Sequence, residues 1–365
     1  MNKPKAIFVS AHLPTLKIPV AGQKIAYNNL KKVSEKYDVI LISFINDIEN
    51  KYFDSSMYSI CYKTHFIHIR KRNRIKSILF CPYEPIRVSP RHLPEIVTLI
   101  KSYIQEFSIE LFHAEYTAAM SYVGLFSDNV TKEVVEHDIV YQSFERYCQN
   151  KTFPIKLFYC IEARKQKRWE LEKLRSFDNI IVLNDKDKQL LEIEKIENVN
   201  VVFPKVDSWC FDVSRKNIEP FSILFLGAMN RFENQDAIIW FTEKMLPKIE
   251  SKYSDVKLYI VGGNPSNTIK KLATTNIIVT GFVDSLKMYF EKAHIAIVPL
   301  RYGAGVKIKT LETLAAKIPT VATKVGAEGI PNDENLIIAD TEMLFVNKIT
   351  AIFDNYKKEE EFYNE

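Results

Sequence analysis

Apolar positions in the first two hundred residues fall into short runs separated by longer stretches of mixed character. Ala6–Ser10 is a run of β-branched and aromatic residues, Lys24–Glu35 repeats its apolar positions at helical spacing, and Asp38–Phe44 returns to a nearly continuous apolar run. That alternation predicts βαβ units, because strands of a parallel sheet are covered on both faces by the helices that connect them. Further strands are predicted at Phe66–Ile69, Glu110–His113, Glu133–His137, Asn179–Leu183 and Asn200–Phe203. Together they make one doubly wound domain.

A second series starts at Ser222–Gly227 and continues through Val256–Val261, Asn276–Thr280, His294–Pro299, Thr320–Thr323 and Leu336–Ile338. The polar stretch Pro204–Pro220 interrupts the periodicity and marks the boundary. The expected division is therefore 1–205, 206–341 and a closing helix over 342–365, for which a return to the first domain is expected.

The 365 residues exceed what one hydrophobic core ordinarily holds, which agrees with two α/β domains. A hydrophobic fraction of 47% with 26% charged residues excludes a largely disordered chain. Runs such as Ile295 to Leu300 fall far short of the roughly 20 apolar residues of a membrane-spanning helix. Met1 to Ser10 lacks a secretory cleavage site, so the expected location is cytoplasmic. Five scattered cysteines, Cys61, Cys81, Cys148, Cys160 and Cys210, suggest neither a disulfide framework nor a metal knuckle and are expected to be reduced core thiols.

The net charge of +5 matters less than its distribution. Arg70, Lys71, Arg72, Arg74 and Lys76 precede Ile78-Leu-Phe80, a candidate for the inner face of the plasma membrane, with a solvated basic loop as the plainer alternative. No nucleic-acid module accompanies these charges.

The chemistry concentrates in Pro299-Leu-Arg-Tyr-Gly-Ala-Gly-Val-Lys-Ile-Lys-Thr-Leu-Glu312. Here a buried strand runs through Gly303, Ala304 and Gly305 into a helix expected to turn Leu311, Leu314 and Ala315 inward. A glycine turn at a helix N-terminus is an anion site, since free N–H groups point outward and the helix dipole is positive there. Lys307 and Lys309 oppose that dipole, by about 0.3–1 kcal/mol for a charge in the first turn, unless an anion sits between. A plain turn with Lys309 paired to Glu312 on a solvated face is the alternative. Glu312 sits near the carboxyl end of a strand, where parallel sheets hold ligands and where a carboxylate can accept from both hydroxyls of a ribose.

These residues resemble the donor site of glycosyltransferase family 4, in its bacterial cell-envelope polysaccharide branch. The resemblance rests on the run from Gly303 through Pro319, on Val321-Ala-Thr-Lys-Val-Gly326-Ala-Glu-Gly329, and on Phe225-Leu-Gly227 through Asn234 with Trp240-Phe241 and Leu246-Pro247. Ile260-Val-Gly262-Gly263 and Gly281-Phe-Val-Asp284 extend it. It implies the GT-B fold, two doubly wound Rossmann-like domains facing each other across a cleft, and sugar transfer with retained configuration. The donor is then a nucleoside diphosphate sugar, UDP- or GDP-linked, with no further cofactor and no metal.

By the same resemblance Glu312 holds the ribose, while Lys307 and Lys309, with Gly303, Ala304, Gly305 and Val306, surround the diphosphate. Gly227 lets the diphosphate approach its strand, and Phe282 and Val283 face the base. Two positions depart from the family. Ala304 stands where a second glutamate often contacts the donor sugar, and Ala228 replaces an arginine, leaving Arg231 as the nearest cation. That shifts phosphate neutralisation onto the lysines, and Lys307 is taken with His137 as catalytic. His137 closes a strand where family members often carry a histidine, and Gly22 and Gln23 stand where acceptor loops lie. Asp185-Lys-Asp187 mimics a metal motif, but capping after Asn184 explains it better.

The function expected is hexose-type transfer to a glycan or lipid-linked acceptor in the synthesis of capsule, lipopolysaccharide or a related surface polymer. A non-catalytic binding or partner-supporting protein, and a sugar-nucleotide epimerase or hydrolase, remain the alternatives.

Overall fold

In the computed structural model, residues 3–18, 20–53, 55–69 and 83–364 are described. The Arg70–Lys76 run and Cys81 lie outside them. The chain divides into two compact units, Met1–Pro204 and Lys205–Glu365.

The first unit contains β1 (Lys5–Ser10), α1 (Ala21–Lys36), β2 (Asp38–Ile45), β3 (Lys63–His68), α2 (Pro94–Glu106), β4 (Ile109–Glu115) and β5 (Thr131–Glu136). It continues with α3 (Val140–Asn150), α4 (Ile155–Leu174), β6 (Asn179–Val182), α5 (Asp185–Ile193) and β7 (Val199–Val201). Its seven strands lie in the order β3-β2-β1-β4-β5-β6-β7, and every pairing is parallel.

Alternate residues of each strand feed two cores. Ile7 and Val9 of β1 join Ile40, Ile42 and Phe44 of β2 on one face, while Ala6 and Phe8 join Val39 and Leu41 on the other. Because both faces are buried, truncating one such ring, as in Phe8→Ala, should cost about 3–5 kcal/mol. The edge strand β3 starts at Lys63, earlier than the apolar run Phe66–Ile69 suggested, since an edge strand tolerates the alternating polar residues Lys63 and His65.

The second unit contains β8 (Ser222–Leu226), α6 (Phe232–Lys244), α7 (Leu246–Glu250), β9 (Lys257–Val261), α8 (Asn267–Lys270), β10 (Ile277–Gly281) and α9 (Lys287–Lys292). It closes with β11 (Ile295–Val298), α10 (Ile308–Ala315), β12 (Thr320–Ala322), β13 (Leu336–Ile338) and α11 (Glu342–Asn364). Its parallel sheet has the order β10-β9-β8-β11-β12-β13. In each unit the connections reverse direction beside the first strand, between β1 and β4 and between β8 and β11. Such reversals open the crevice that holds ligands in doubly wound sheets.

The closing helix packs on the second unit, and one expectation, that of the cysteines, is corrected. Phe345, Ile349 and Phe353 of α11 are buried in the second unit's core, Trp240 Nε1 donates to Glu342 at 3.0 Å, and Lys252 pairs with Asp354 at 2.6 Å. The cysteines are not all free. Cys148 at the end of α3 and Cys160 in α4 form a disulfide, their Cα atoms 5.0 Å apart. The turn between these antiparallel helices creates that proximity, which sequence spacing does not reveal. Cys210 is buried and Cys61 half-buried, and neither takes part in a disulfide.

Candidate functional site

In the second unit, Gly227 follows β8 and Gly262 follows β9. A methyl carbon on Gly262, whose φ is +150°, would lie 1.8 Å from the Gly227 carbonyl oxygen, and one on Gly227 would lie 2.6 Å from the Asn234 amide. The two loops therefore approach more closely than any side chain allows. Met229 N–H donates to Gly263 O at 2.9 Å and fixes that approach.

After β11 the chain turns through Gly303 (φ +109°) and Gly305 (φ +70°) into α10. Lys307 occupies the N-cap position of α10, and no side chain caps the helix. Leu314 faces inward as expected, but its buried companions are Thr310 and Thr313, while Leu311 and Ala315 are only half-buried. The threonines are paired, Thr310 Oγ1 donating to Gly326 O at 2.9 Å and Thr320 Oγ1 to Thr313 Oγ1 at 2.9 Å.

Lys309 does not lie on a solvated face paired with Glu312. Its ammonium crosses to β8 and donates to Leu226 O and to Asn234 Oδ1, each at 2.7 Å, with the Phe225 ring 4.7 Å away. Burial, reinforced by the charges of Arg231 and Lys307, lowers its pKa to about 7. Lys307 Nζ donates to Ala304 O at 2.9 Å and to Gly305 O, and stands 3.8 Å from Glu328 Oε2. Both side chains of that pair are largely buried, so removing Lys307 would take an ion-pair partner from a buried carboxylate.

The remaining expected residues surround this pair of lysines. Glu312 is half-buried one turn into α10, and its charge acts on Lys309. Ala304 and Val306 are half-buried in the turn. Arg231 is exposed at the N-cap of α6, 3.7 Å from Glu233. Phe282 is 56% exposed after β10, whereas Val283 packs against the cluster containing Leu224 and Phe290. Asn234, Glu233 and Glu328 were given no role in the sequence reading. All three stand inside the quoted motifs, so the signal was present for each. Their partners were not legible.

In the first unit, polar groups meet at the carboxyl edge of β1, β4 and β5. His137 Nε2 pairs with Glu115 Oε1 at 2.6 Å, while Glu115 Oε2 receives His113 Nε2 at 2.8 Å. His113 Nδ1 reaches Glu133 at 2.9 Å. Burial opposes charge at both inner groups, yet the hydrogen bonds prevail and hold Glu115 at about 2 and His113 at about 9. Glu115 is a carboxylate and His113 an imidazolium.

His137 stacks on Tyr116, ring centroids 3.9 Å apart, and Tyr116 has the left-handed φ of +70°. The structure brings Gly22 to these rings, since a methyl carbon there would lie 3.2 Å from Tyr116 Oη and 3.3 Å from His137 Nδ1. Both atoms are enclosed and have no hydrogen-bond partner among the described residues. His137 thus has Nε2 committed to Glu115 and Nδ1 enclosed beside Gly22. Gln23 turns inward and donates to Glu49 at 2.7 Å, and His12 Nδ1 pairs with the same carboxylate at 2.8 Å. Glu115, Tyr116 and Glu49 were missed, although Glu115 ends a strand beside the reversal point.

In the candidate metal motif, Asp187 takes part in a helix cap. Asn184 caps α5 by accepting from Asp187 N–H at 2.8 Å, and buried Asp187 accepts from Asn184 Nδ2 at 2.7 Å and Gln142 at 3.1 Å.

Two parallel sheets of this order, each with its polar residues at the carboxyl edge of the reversal, define the GT-B class. Solved structures agree on the fold. Sucrose-phosphate synthase of Thermosynechococcus elongatus matches with TM-score 0.67 at 17% identity, covering 97% of this chain and 90% of that one. HepE of Anabaena, solved in complex with UDP, matches at 0.64 with 11% identity, covering 97% and 91%. WaaG, a glycosyltransferase involved in lipopolysaccharide biosynthesis, matches at 0.61 with 13% identity, covering 96% and 90%.

More particularly, residues 220–355 match the family model described as glycosyl transferases group 1, so the second unit carries a group 1 glycosyltransferase domain. An uncharacterized 44.6 kDa protein in the cps region of Klebsiella pneumoniae is 26% identical over 288 residues, 75% of this chain and 70% of that one.

Proposed function

We propose that this chain transfers a hexose-type sugar from a UDP- or GDP-linked donor to a glycan or lipid-linked acceptor, with retention of configuration, in the synthesis of a surface polysaccharide. The observation that carries this reading is the position of Lys309, a half-buried cation joining the N-terminal turn of α10 to the end of β8 beside Gly227. A cation buried without a carboxylate hydrogen-bonded to it is costly, and a diphosphate between the helix N-terminus and the glycine loops would offset that cost.

In this reading Glu312 accepts from the ribose hydroxyls, and the exposed Phe282 stacks beside the base with Val283 behind it. Gly303, Ala304, Gly305 and Val306 give backbone amides to the diphosphate, with Arg231 at its rim. The departing diphosphate is stabilised by Lys307, Lys309 and the helix dipole, fixed charges that need no reorganisation during the reaction. In the first unit, Gly22 faces the acceptor and Gln23 acts through Glu49. His137 contacts the sugar once the Gly22 loop opens, its ring held by Glu115.

The reading is supported by the UDP complex of the structurally similar HepE, by the lipopolysaccharide role of WaaG and by the cps-region relative. The test is product analysis with UDP- and GDP-sugars, with and without lipid-linked acceptors. Acceptor-dependent transfer supports the proposal. Donor turnover that ignores every acceptor points instead to an epimerase or hydrolase, and nucleotide binding without turnover to a binding protein.

A further inference from the structure

The loop after β1 carries a histidine to which the motifs assign no role. His12 lies at the carboxyl edge of the first sheet, beside its reversal point, and its Nδ1 pairs with Glu49 Oε1 at 2.8 Å. The Glu49 side chain is 6% exposed and accepts two further hydrogen bonds, from Gln23 Nε2 at 2.7 Å and from Asn46 N–H at 2.9 Å. A carboxylate accepts and does not donate, so the proton of the His12–Glu49 bond sits on Nδ1. Nε2 is left with its lone pair.

That nitrogen is presented rather than packed away. The His12 side chain keeps 37% of its surface exposed, and Nε2 has no hydrogen-bond partner among the described residues. The backbone beneath it is fixed by its neighbours. Ser10 Oγ and Ser43 Oγ donate to His12 O at 2.6 and 3.2 Å, Arg91 Nε donates to Ala11 O at 2.7 Å, and Ala11 N–H donates to Glu115 O at 3.2 Å. Two buried serine hydroxyls and an arginine devoted to one short loop give the imidazole the preorganisation of a binding group.

The groups around the ring select its ligand. Desolvation by the surrounding protein, then the charge of Arg91 and to a smaller extent His137, lower the His12 pKa below the ordinary 6.5, and the Glu49 carboxylate opposes them without prevailing. Tyr116 meets the ring edge-on, centroids 5.0 Å apart. The imidazole is therefore neutral at pH 7, and Arg91 beside it repels a cationic ligand. An uncharged donor, a hydroxyl, fits such a nitrogen. We propose that His12, oriented by Glu49, is a hydroxyl-binding residue of the acceptor site, with Nε2 accepting from a hydroxyl of a glycan. The assignment rests on the transferase reading and adds to it a residue distinct from Gly22, Gln23 and His137.

The test separates the two ring nitrogens. Asparagine reproduces the Nδ1 donor and offers nothing at Nε2, whereas the amide of glutamine reaches the position of Nε2. Transfer from UDP- and GDP-sugars is measured on octyl glycosides and polyprenyl-linked sugars. His12→Asn should lower kcat/KM for the acceptor by about tenfold, the loss of one hydrogen bond to the ligand, with melting temperature and UDP or GDP affinity at parental values. His12→Gln should recover most of that loss. In the parent, kcat/KM for the acceptor should stay level from pH 8 to 6.5 and fall at lower pH, because an imidazolium has no lone pair to offer. In the glutamine variant, that fall should vanish.

Parental acceptor kinetics in the asparagine variant, or a fall at low pH that persists in the glutamine variant, overturns the proposal and leaves the transferase reading standing. A parent that transfers to none of these acceptors fails the transferase reading and takes this assignment with it.

Discussion

Lys309 Nζ lies 2.7 Å from Asn234 Oδ1, although the two residues are 75 positions apart. Asn234 in turn donates to Ala228 O at 2.9 Å, so α10, α6 and the loop after β8 are locked together by uncharged acceptors around one ammonium. An incoming diphosphate would be the first fixed negative charge hydrogen-bonded to that group.

The free protein holds the Lys309 pKa down to about 7, burial being the largest cause. Nucleoside diphosphate binding should therefore favour the protonated lysine, take up a proton near neutral pH and weaken as pH rises through 7 toward 9. Titration calorimetry in buffers of different ionisation enthalpy reads the proton directly. Lys309→Met should abolish the uptake and cost about 1.5–3 kcal/mol of affinity, the usual range for a charge-assisted hydrogen bond. Binding without proton uptake in the parent would exclude Lys309 from the phosphate site.

The Gly227–Gly262 approach makes a steric prediction. Gly262→Ala would place its new carbon 1.8 Å from a backbone oxygen, which no rotamer change can relieve. The substitution should destabilise the second unit by about 1–3 kcal/mol or more and weaken nucleotide binding by displacing the loop after β8. A melting curve and a nucleotide titration matching the parent's would show that the loops are looser than described.

In the first unit, the chain from Glu133 through His113 to Glu115 makes stability depend on pH. The His113 pKa is raised from an ordinary 6.5 to about 9 in the folded protein, by hydrogen bonds that outweigh burial. Its contribution is therefore complete below pH 6.5 and lost as pH rises through 9. Glu170, raised by burial to about 8, loses stability in the same direction over a lower window. The histidine's share appears by difference. His113→Gln should be less stable than the parent at pH 6, with the gap narrowing by pH 9.5, measured by denaturant unfolding. A gap that stays constant with pH would mean that His113 is neutral.

Much of the fold was legible in the chain because buried parallel strands such as β2 and β8 write themselves as unbroken apolar runs. The glycine turn at Gly303 and Gly305 was legible for a similar local reason, since a strand, a turn and a helix start adjoin in sequence. What could not be read was where long polar side chains go. Lys309 is expected at the diphosphate, with pairing to Glu312 as the plainer alternative, and neither reading shows that its ammonium reaches β8. Lys307 gave no hint of Glu328, and Gln23 no hint that it turns toward Glu49. The Cys148–Cys160 bond depends likewise on two helices meeting in space.

Metal dependence follows from the same charges. With Asp187 buried as part of a helix cap, the acids of the Asp185-Lys-Asp187 segment are poorly disposed to hold a cation at a diphosphate. Transfer should survive exhaustive EDTA treatment with less than about a twofold loss, because fixed cations and the helix dipole replace the metal. Activity that disappears with EDTA and returns with magnesium or manganese would contradict the fixed-charge mechanism.

The central claim is that the second unit seats a nucleoside diphosphate with its ribose on Glu312, and calorimetric titration of the parent and Glu312→Ala with UDP and GDP tests it most directly. Glu312 is half-buried and lies outside the core, so the variant should fold with a near-parental melting temperature. The account predicts that the parent binds one of the two nucleotides and that the variant loses at least about tenfold in affinity, as expected when a carboxylate accepting from a hydroxyl is removed. A folded variant that binds with the parent's affinity, or a parent that binds neither nucleotide, would contradict it.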